Sequence, residues 1–168
     1  MSNIIILAGS ERKDGNTDML VDALKKGAAK KNKVEVISVR CHDINPCIGC
    51  NSCFTRLGNE CFQKDDMQMV YEKLKTADVL VIASPVYFYG ISAQLKAIID
   101  RLHTPMRNEF PIKKLALILV GAATLPELFD SIKIQYRLIL NLENVRSCIR
   151  VLAAADLLET RMEKLTCV

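Results

Sequence analysis

Four closely spaced cysteines are the residues of this sequence best suited to bind a metal ion or an iron-sulfur cluster. They follow the pattern C-x2-C-x2-C-x7-C, at Cys47, Cys50, Cys53 and Cys61. Three thiols separated by short steps of backbone can surround one small volume. A fourth thiol that reaches back across a loop completes the four thiolates that such clusters need. The spacing therefore favours a [4Fe-4S] cluster.

Three other uses of these thiols stay open from the residues alone. Structural zinc sites commonly use two separated C-x2-C pairs, so a single C-x2-C-x2-C run fits zinc less well. Thiol redox chemistry is a further option, and free thiols that bind nothing are the last. The other three of the seven cysteines are scattered and are interpreted as core or surface residues: Cys41, Cys148 and Cys167.

Length and composition favour a single domain over residues 1–168. A chain of 168 residues with 50% hydrophobic residues can fill one core. The formal net charge of +4 is mild and the basic residues are mixed with acidic ones, so we expect no nucleic-acid partner. No apolar run approaches the roughly 18 residues of a membrane span, and the first residues lack the features of a signal peptide. We expect a cytoplasmic protein without membrane contact.

Short apolar runs alternate with longer amphipathic ones, which is typical of βαβ units around a parallel sheet. Helices are predicted to begin near residues 17, 65, 92 and 125. Because parallel strands need right-handed crossovers, a reversal in strand order places helices on both faces. We therefore predict a doubly wound α/β fold, with strands at 4–8, 34–39, 79–83, 115–120 and 149–152.

The four clustered cysteines fall in a loop insertion at about residues 41–64, between the second strand and the next helix. Pro46, Gly49 and Gly58 mark this segment as a loop. Loops of this length inside a compact domain are usually functional. Since the segment follows a strand, we expect it near the carboxyl edge of the sheet.

Three further loops are predicted to meet at that edge, because ligands of doubly wound sheets bind beyond the carboxyl ends of the strands. These loops are 9–16, 84–90 and 121–126. The first supplies hydroxyls, an arginine and free backbone amides at a helix N-terminus, which favours a phosphate group. It matches neither Walker A nor G-x-G-x-x-G, so a monophosphate fits best. The alternative is that Asn16 or Thr17 simply caps the helix.

The second loop carries three consecutive aromatic residues, Tyr87, Phe88 and Tyr89, in a chain with only 5% aromatic residues. Exposed rings at the mouth of a sheet could stack on a planar heteroaromatic ligand. The alternative is that one or two of these rings turn into the core.

Two stretches of the chain resemble the flavodoxin-like FMN reductases. They read Gly-Ser-x-Arg-x-x-Gly-Asn-Thr at 9–17 and Ser-Pro-Val-Tyr-Phe-Tyr-Gly-x-x-Ala-Gln-Leu-Lys-x-x-x-Asp-Arg at 84–101. Together with the four cysteines and the Asp-Asp-Met at 65–67, they make the chain most similar to the iron-sulfur flavoproteins of anaerobic prokaryotes. The resemblance covers about residues 3–125. It implies a flavodoxin-like sheet of five parallel strands in the order 2-1-3-4-5.

The same resemblance implies FMN as the bound cofactor. Its phosphate would be held by Ser10, Arg12, Asn16 and Thr17. Its isoalloxazine ring would be lined by Pro85, Val86, Tyr87, Phe88 and Tyr89. Gly121 is expected to belong to the third loop of the site, although this loop has fewer glycines than is usual in the family. The cysteines Cys47, Cys50, Cys53 and Cys61 would hold a [4Fe-4S] cluster.

The implied function is electron transfer between FMN and the cluster, in a homodimer or homotetramer that brings the two groups together between subunits. A nicotinamide, NAD(P)H, or a ferredoxin is the expected redox partner. One alternative is an NAD(P)H-dependent FMN or quinone reductase without a cluster. Another is a flavodoxin-type electron carrier without turnover of its own. The last residues, 153–168, are shorter than the closing segment usual in the family.

Overall fold

A computed structural model describes residues 1–122, 125–143 and 151–154 of the chain. They form one sheet in the order β2-β1-β3-β5-β6, and the pairs along this path are parallel. One further short strand, β4, pairs antiparallel with the end of β3. The order predicted for the five main strands is confirmed. The strands are β1 (Asn3–Ala8), β2 (Lys33–Ser38), β3 (Val79–Tyr87), β4 (Gly90–Ile91), β5 (Lys114–Val120) and β6 (Val151–Ala154).

The helices follow the predicted alternation with the strands. The cysteine loop adds one short helix, α2, which the sequence pattern does not indicate. The β3 strand is longer than predicted, because its pairing with β5 continues as far as Pro85 opposite Val120. The last helix begins later than predicted, after a 3-10 turn at Pro126–Phe129. The helices are α1 (Asn16–Ala28), α2 (Ser52–Thr55), α3 (Met67–Leu74), α4 (Ala93–Arg101) and α5 (Asp130–Glu143).

Apolar side chains cover both faces of the sheet, as the doubly wound prediction requires. Along β1, Ile5 and Leu7 pack into a cluster that also contains residues of α3, α4 and α5. The alternate residues Ile6 and Ala8 pack on the opposite face with Val21 of α1. This alternation follows from the pleat of a strand, which points successive side chains to opposite faces.

The register of the sheet aligns the carboxyl ends of its strands. Ala8 at the end of β1 lies beside Ser38 of β2 and beside Ala83 of β3. Gly9 continues the contact, since its backbone N–H donates to the Ala83 carbonyl at 2.7 Å. A side chain at Gly9 would come within 2.7 Å of Leu95 on α4. Glycine therefore lets the first loop leave the sheet directly over the start of α4.

Several predictions fall outside the described residues. These are the first part of the fifth main strand, at 149–150, the closing segment at 155–168, and Cys148 and Cys167. Cys41 is exposed, which agrees with a surface thiol. Within the described part of the chain, no helix has the length and apolar character needed to cross a membrane.

Candidate functional site

The loop between β1 and α1 is shaped by its own hydrogen bonds. The Ser10 hydroxyl is buried, donates to the Arg12 carbonyl and accepts from the Arg12 N–H, both at 3.2 Å. Asp14 has a left-handed backbone with φ of 57°, and its N–H donates to the Asp18 carboxylate at 3.0 Å. Ser10 thus holds the loop in a fixed turn, while the Arg12 side chain lies at the surface.

The N-terminus of α1 opens toward this loop. The residue before the helix is Gly15, whose backbone is extended, so no side chain at this position can cap the helix. The alternative that Asn16 or Thr17 caps α1 is therefore wrong, since both are already helical. Thr17 is buried and Asn16 is exposed. The first amides of a helix have no intrahelical partner, so this end offers donors to an anion.

Arg40, just after β2, is a residue of this site that sequence reasoning missed. Its guanidinium donates to the carbonyls of Ser10, at 2.8 Å, and Arg12. It also pairs with the Asp18 carboxylate at 3.0 Å. These contacts fix the carbonyls of the β1–α1 loop in place. The only sequence signal was a basic residue after a strand, which is too common to be diagnostic.

The aromatic loop is a tight antiparallel turn in which Tyr87 pairs with Gly90. Phe88 and Tyr89 occupy the left-handed region, with φ of 48° and 64°, a conformation that is uncommon for bulky residues. Phe88 is 99% exposed, while Tyr87 and Tyr89 are about half exposed, at 51% and 52%. The alternative that one or two rings turn into the core is wrong.

Serine side chains fix the ends of this aromatic loop. The buried Ser84 hydroxyl accepts from the Ser92 N–H at 3.0 Å, and the Ser92 hydroxyl accepts from the Leu95 N–H to cap α4. On the other side, Ser131 of α5 donates to the Tyr89 carbonyl at 2.6 Å. Among the predicted ring-lining residues, Pro85 and Val86 lie within β3, buried and half-buried.

The third predicted loop begins at Gly121, directly after β5. A Cβ atom at this position would overlap the Leu128 side chain and would lie 3.5 Å from Phe129. Glycine is therefore required for close packing against the turn that precedes α5. Two later residues of this loop, 123 and 124, lie outside the described part of the chain.

The cysteine loop leaves the carboxyl edge of the sheet and then follows α4 toward the opposite edge. Ile44 lines a small cavity of about 170 Å³ together with Gln94 and Ile98 of α4. One residue further on, the Asn45 carbonyl accepts from Arg101, the last residue of α4, at 3.2 Å. The expectation that this loop lies near the carboxyl edge therefore applies only to its start.

The four cysteines are not equivalent in this loop. Cys47 and Cys50 are exposed, whereas Cys53 and Cys61 are half-buried. A hydrogen bond with the Ser52 side chain, at 3.3 Å, lowers the pKa of the Cys50 thiol. Within the described residues, no group of three or more cysteine, histidine or acidic side chains is close enough to hold a metal ion. The donors are on one loop, but they are not gathered.

A buried ion pair joins the base of the cysteine loop to α4. The Asp65 carboxylate contacts the Arg101 guanidinium, and both side chains are only 2% exposed. Burial alone would raise the pKa of Asp65, but hydrogen bonds from Arg101 and from the Asn45 and Met67 N–H groups outweigh burial and lower it. The Asp65 carboxylate also accepts from the N–H of Met67, the first residue of α3, at 3.2 Å.

The fold and these loops define an α/β protein of the flavodoxin-like class. A model of the NADPH-dependent FMN reductase family matches residues 2–155, and the chain belongs to that family. A quinone oxidoreductase acting with NAD(P)H, from Methanothermobacter marburgensis, has the same fold. It superposes with a TM-score of 0.72 at 14% identity, over 94% of this chain and 89% of that one.

Among curated relatives, an iron-sulfur flavoprotein of Methanocaldococcus jannaschii is 41% identical over 111 residues, which is 66% of this chain and 56% of the relative. An iron-sulfur flavoprotein of Methanosarcina thermophila is 33% identical over 118 residues, covering 70% of this chain and 59% of the relative. The chain spans about half the length of the curated relatives that it matches.

Proposed function

We propose that this protein is an FMN-binding oxidoreductase. The observation that carries the proposal is the meeting of the β1–α1 loop, the exposed aromatic loop and Gly121 at one edge of the sheet. An anion-binding helix end and exposed aromatic rings at the same edge match the two ends of FMN, its phosphate and its ring. Membership of the FMN reductase family supports the same assignment.

Different residues at this edge would bind the phosphate and the ring of FMN. The amides at the start of α1, with Arg12, Asn16 and Thr17, would bind the phosphate, and the buried Ser10 would keep their loop in shape. Tyr87–Tyr89, with Pro85 and Val86 below them, would line the ring, and Gly121 would close the site from the third loop. Bound FMN would accept electrons in pairs and release them singly, and no acid–base side chain of the protein is needed.

We further propose that Cys47, Cys50, Cys53 and Cys61 hold a [4Fe-4S] cluster that exchanges electrons with FMN. The donor set fits such a cluster, because four thiols lie on one loop at compact spacing. Gly49 and Asn51, both in the left-handed region, provide turns between the thiols. The loop would have to draw its two exposed cysteines toward Cys53 and Cys61 when a cluster binds. The names of the curated relatives support this assignment.

The path of the cysteine loop supports a homodimer or homotetramer. The loops proposed to bind FMN lie at the start of α4, while the cysteine loop contacts Arg101 at the end of α4. A helix rises about 1.5 Å per residue, so this length of α4 separates the two regions by roughly 13 Å within one chain. A second subunit could place its own flavin closer to the cysteine loop.

A reductase without a cluster is the second candidate, because the four thiols are not gathered in the described residues. Such an enzyme would use NAD(P)H to reduce FMN and pass the electrons to a quinone or to free flavin. The exposed Phe88 would then lie where a planar substrate approaches the bound ring. A protein that binds FMN but shows no turnover with NAD(P)H would instead be a carrier of the flavodoxin type.

The deciding experiment is anaerobic purification followed by a visible spectrum and iron analysis. The two absorption bands of oxidised flavin test the FMN assignment, and their absence after incubation with FMN contradicts it. A broad additional shoulder with about four irons per chain supports the cluster. Bound flavin without iron, even after anaerobic reconstitution with iron and sulfide, favours the reductase without a cluster.

A further inference from the structure

The segment just after α4 contacts the cysteine loop at two points. The Phe54 ring, in the short helix α2, lies 5.6 Å from the His103 ring. The buried Thr104 hydroxyl donates to the Asn59 carbonyl at 3.2 Å. Both contacts come from residues that directly follow α4. This part of the fold therefore serves as a surface on which the middle of the loop lies.

The buried Asp65–Arg101 pair closes the loop at its base. Arg101 donates to the Asn45 carbonyl, and Asp65 accepts from the Asn45 N–H at 3.0 Å. Residues 45 and 65, which border all four clustered cysteines, are thereby held side by side. The Arg101 carbonyl in turn accepts from the buried Tyr71 hydroxyl at 2.8 Å, which ties the pair to α3.

Two polar groups beside this ion pair are also buried. Burial raises the pKa of Tyr71 to about 12 despite the opposing charge of Arg101. The Arg101 Nε is buried and has no hydrogen-bond partner among the described residues. A buried N–H without a partner is costly.

We propose that Asp65 and Arg101 are positioning residues that hold the cysteine loop closed against α4 and keep Cys53 and Cys61 placed for cluster binding. The loop-closing role stands on the described contacts alone, while the role in cluster binding rests on the proposed function. The exposed cysteines, Cys47 and Cys50, are then the ones that move when iron binds.

Limited proteolysis of the full chain, as purified, tests the closure directly. Trypsin can cleave after the exposed Arg56 inside the loop, and cleavage after the exposed Lys26 of α1 reports opening of the rest of the fold. Asp65→Asn should speed cleavage after Arg56 at least tenfold and leave cleavage after Lys26 unchanged. Asp100→Asn is the matched control, because Asp100 pairs with Lys96 at the surface of the same helix.

A second variant covers the case in which Asp65→Asn fails to fold because it leaves Arg101 buried without its partner. Asp65→Asn combined with Arg101→Gln removes both charges and should still show the faster cleavage after Arg56. Unchanged cleavage after Arg56 in this double variant overturns the proposal. A parallel rise after Lys26 also overturns it, since the pair would then support the whole fold.

Anaerobic reconstitution with iron and sulfide tests the link to cluster binding. The Asp65→Asn protein should need at least tenfold more iron for half-loading than wild type or Asp100→Asn, with FMN content unchanged. Normal iron loading in the variant overturns the positioning role for the cluster. If wild type itself takes up no iron, the proposed cluster fails, and the Arg56 cleavage rates still decide whether the pair closes the loop.

Discussion

The contacts of Arg40 with the β1–α1 loop, which is proposed to bind the FMN phosphate, give a quantitative prediction for Arg40→Ala. The substitution removes two hydrogen bonds from a charged donor to the Ser10 and Arg12 carbonyls, worth about 1.5 kcal/mol each when well made. The ion pair with Asp18 adds less than about 1 kcal/mol, because the Arg40 side chain is 26% exposed. A loss of about 3 to 4 kcal/mol in loop order should weaken FMN binding roughly 150- to 900-fold.

Titration of the apoprotein with FMN and with riboflavin, followed by flavin fluorescence, tests this reasoning. Riboflavin lacks the phosphate, so its affinity should be nearly unchanged by Arg40→Ala. Lys26→Ala removes a positive charge from the far end of α1 and should leave both affinities as in wild type. Arg40→Lys keeps the charge without the forked donors and should lie in between. An equal loss for FMN and riboflavin would refute the assignment of Arg40 to the phosphate loop.

Three further predictions concern the cysteines, the packing and the pH dependence. Cys50→Ser should abolish iron uptake and leave FMN bound, whereas Cys41→Ser should keep the iron; equal iron content in the two would contradict the cluster assignment. In urea unfolding, Gly121→Ala should lower the free energy of unfolding by about 1 to 3 kcal/mol. Gly27 has open space around it, so Gly27→Ala should raise the free energy of unfolding by about 0.5 to 1 kcal/mol. Similar values for the two variants would show that the packing at Gly121 is loose. Asp65→Asn should lower the free energy of opening of the cysteine loop, measured by hydrogen exchange of its amides, by about 3 kcal/mol at neutral pH. Because the pKa of Asp65 is lowered in the folded protein, this difference should be full above about pH 4, near the pKa of an unfolded aspartate. It should shrink as the pH falls further through the folded-state pKa, and a difference that stays constant there would contradict the pairing.

The sheet and its loops were predictable because they depend on local patterns and on general rules of chain connection. Apolar runs such as Ile4–Ala8 and Val79–Ala83 predict buried strands without reference to any distant residue. Once the strands are parallel, their carboxyl ends must share one edge, so the loops at 9–16 and 84–90 are expected to converge. The structure confirms this order and this convergence.

The charged contacts that shape the site were not predictable. Arg40 pairs with Asp18, 22 residues away, and Arg101 pairs with Asp65, 36 residues away. Nothing in the spacing of these residues distinguishes them from the many charged residues at the surface. Only the packing of β2 beside β1, and of the cysteine loop beside α4, brings each pair together.

The amino-acid sequence by itself determined which chemical groups are present: four thiols in one loop, a loop with hydroxyls and amides at a helix N-terminus, and three adjacent aromatic residues. The tertiary structure decided how these groups are presented. The three aromatic rings are exposed, and Cys53 and Cys61 are half-buried. The cysteine loop runs along α4, away from the edge of the sheet where FMN is proposed to bind. The reason is that exposure and neighbours depend on contacts between distant segments, which residue types and spacing do not specify.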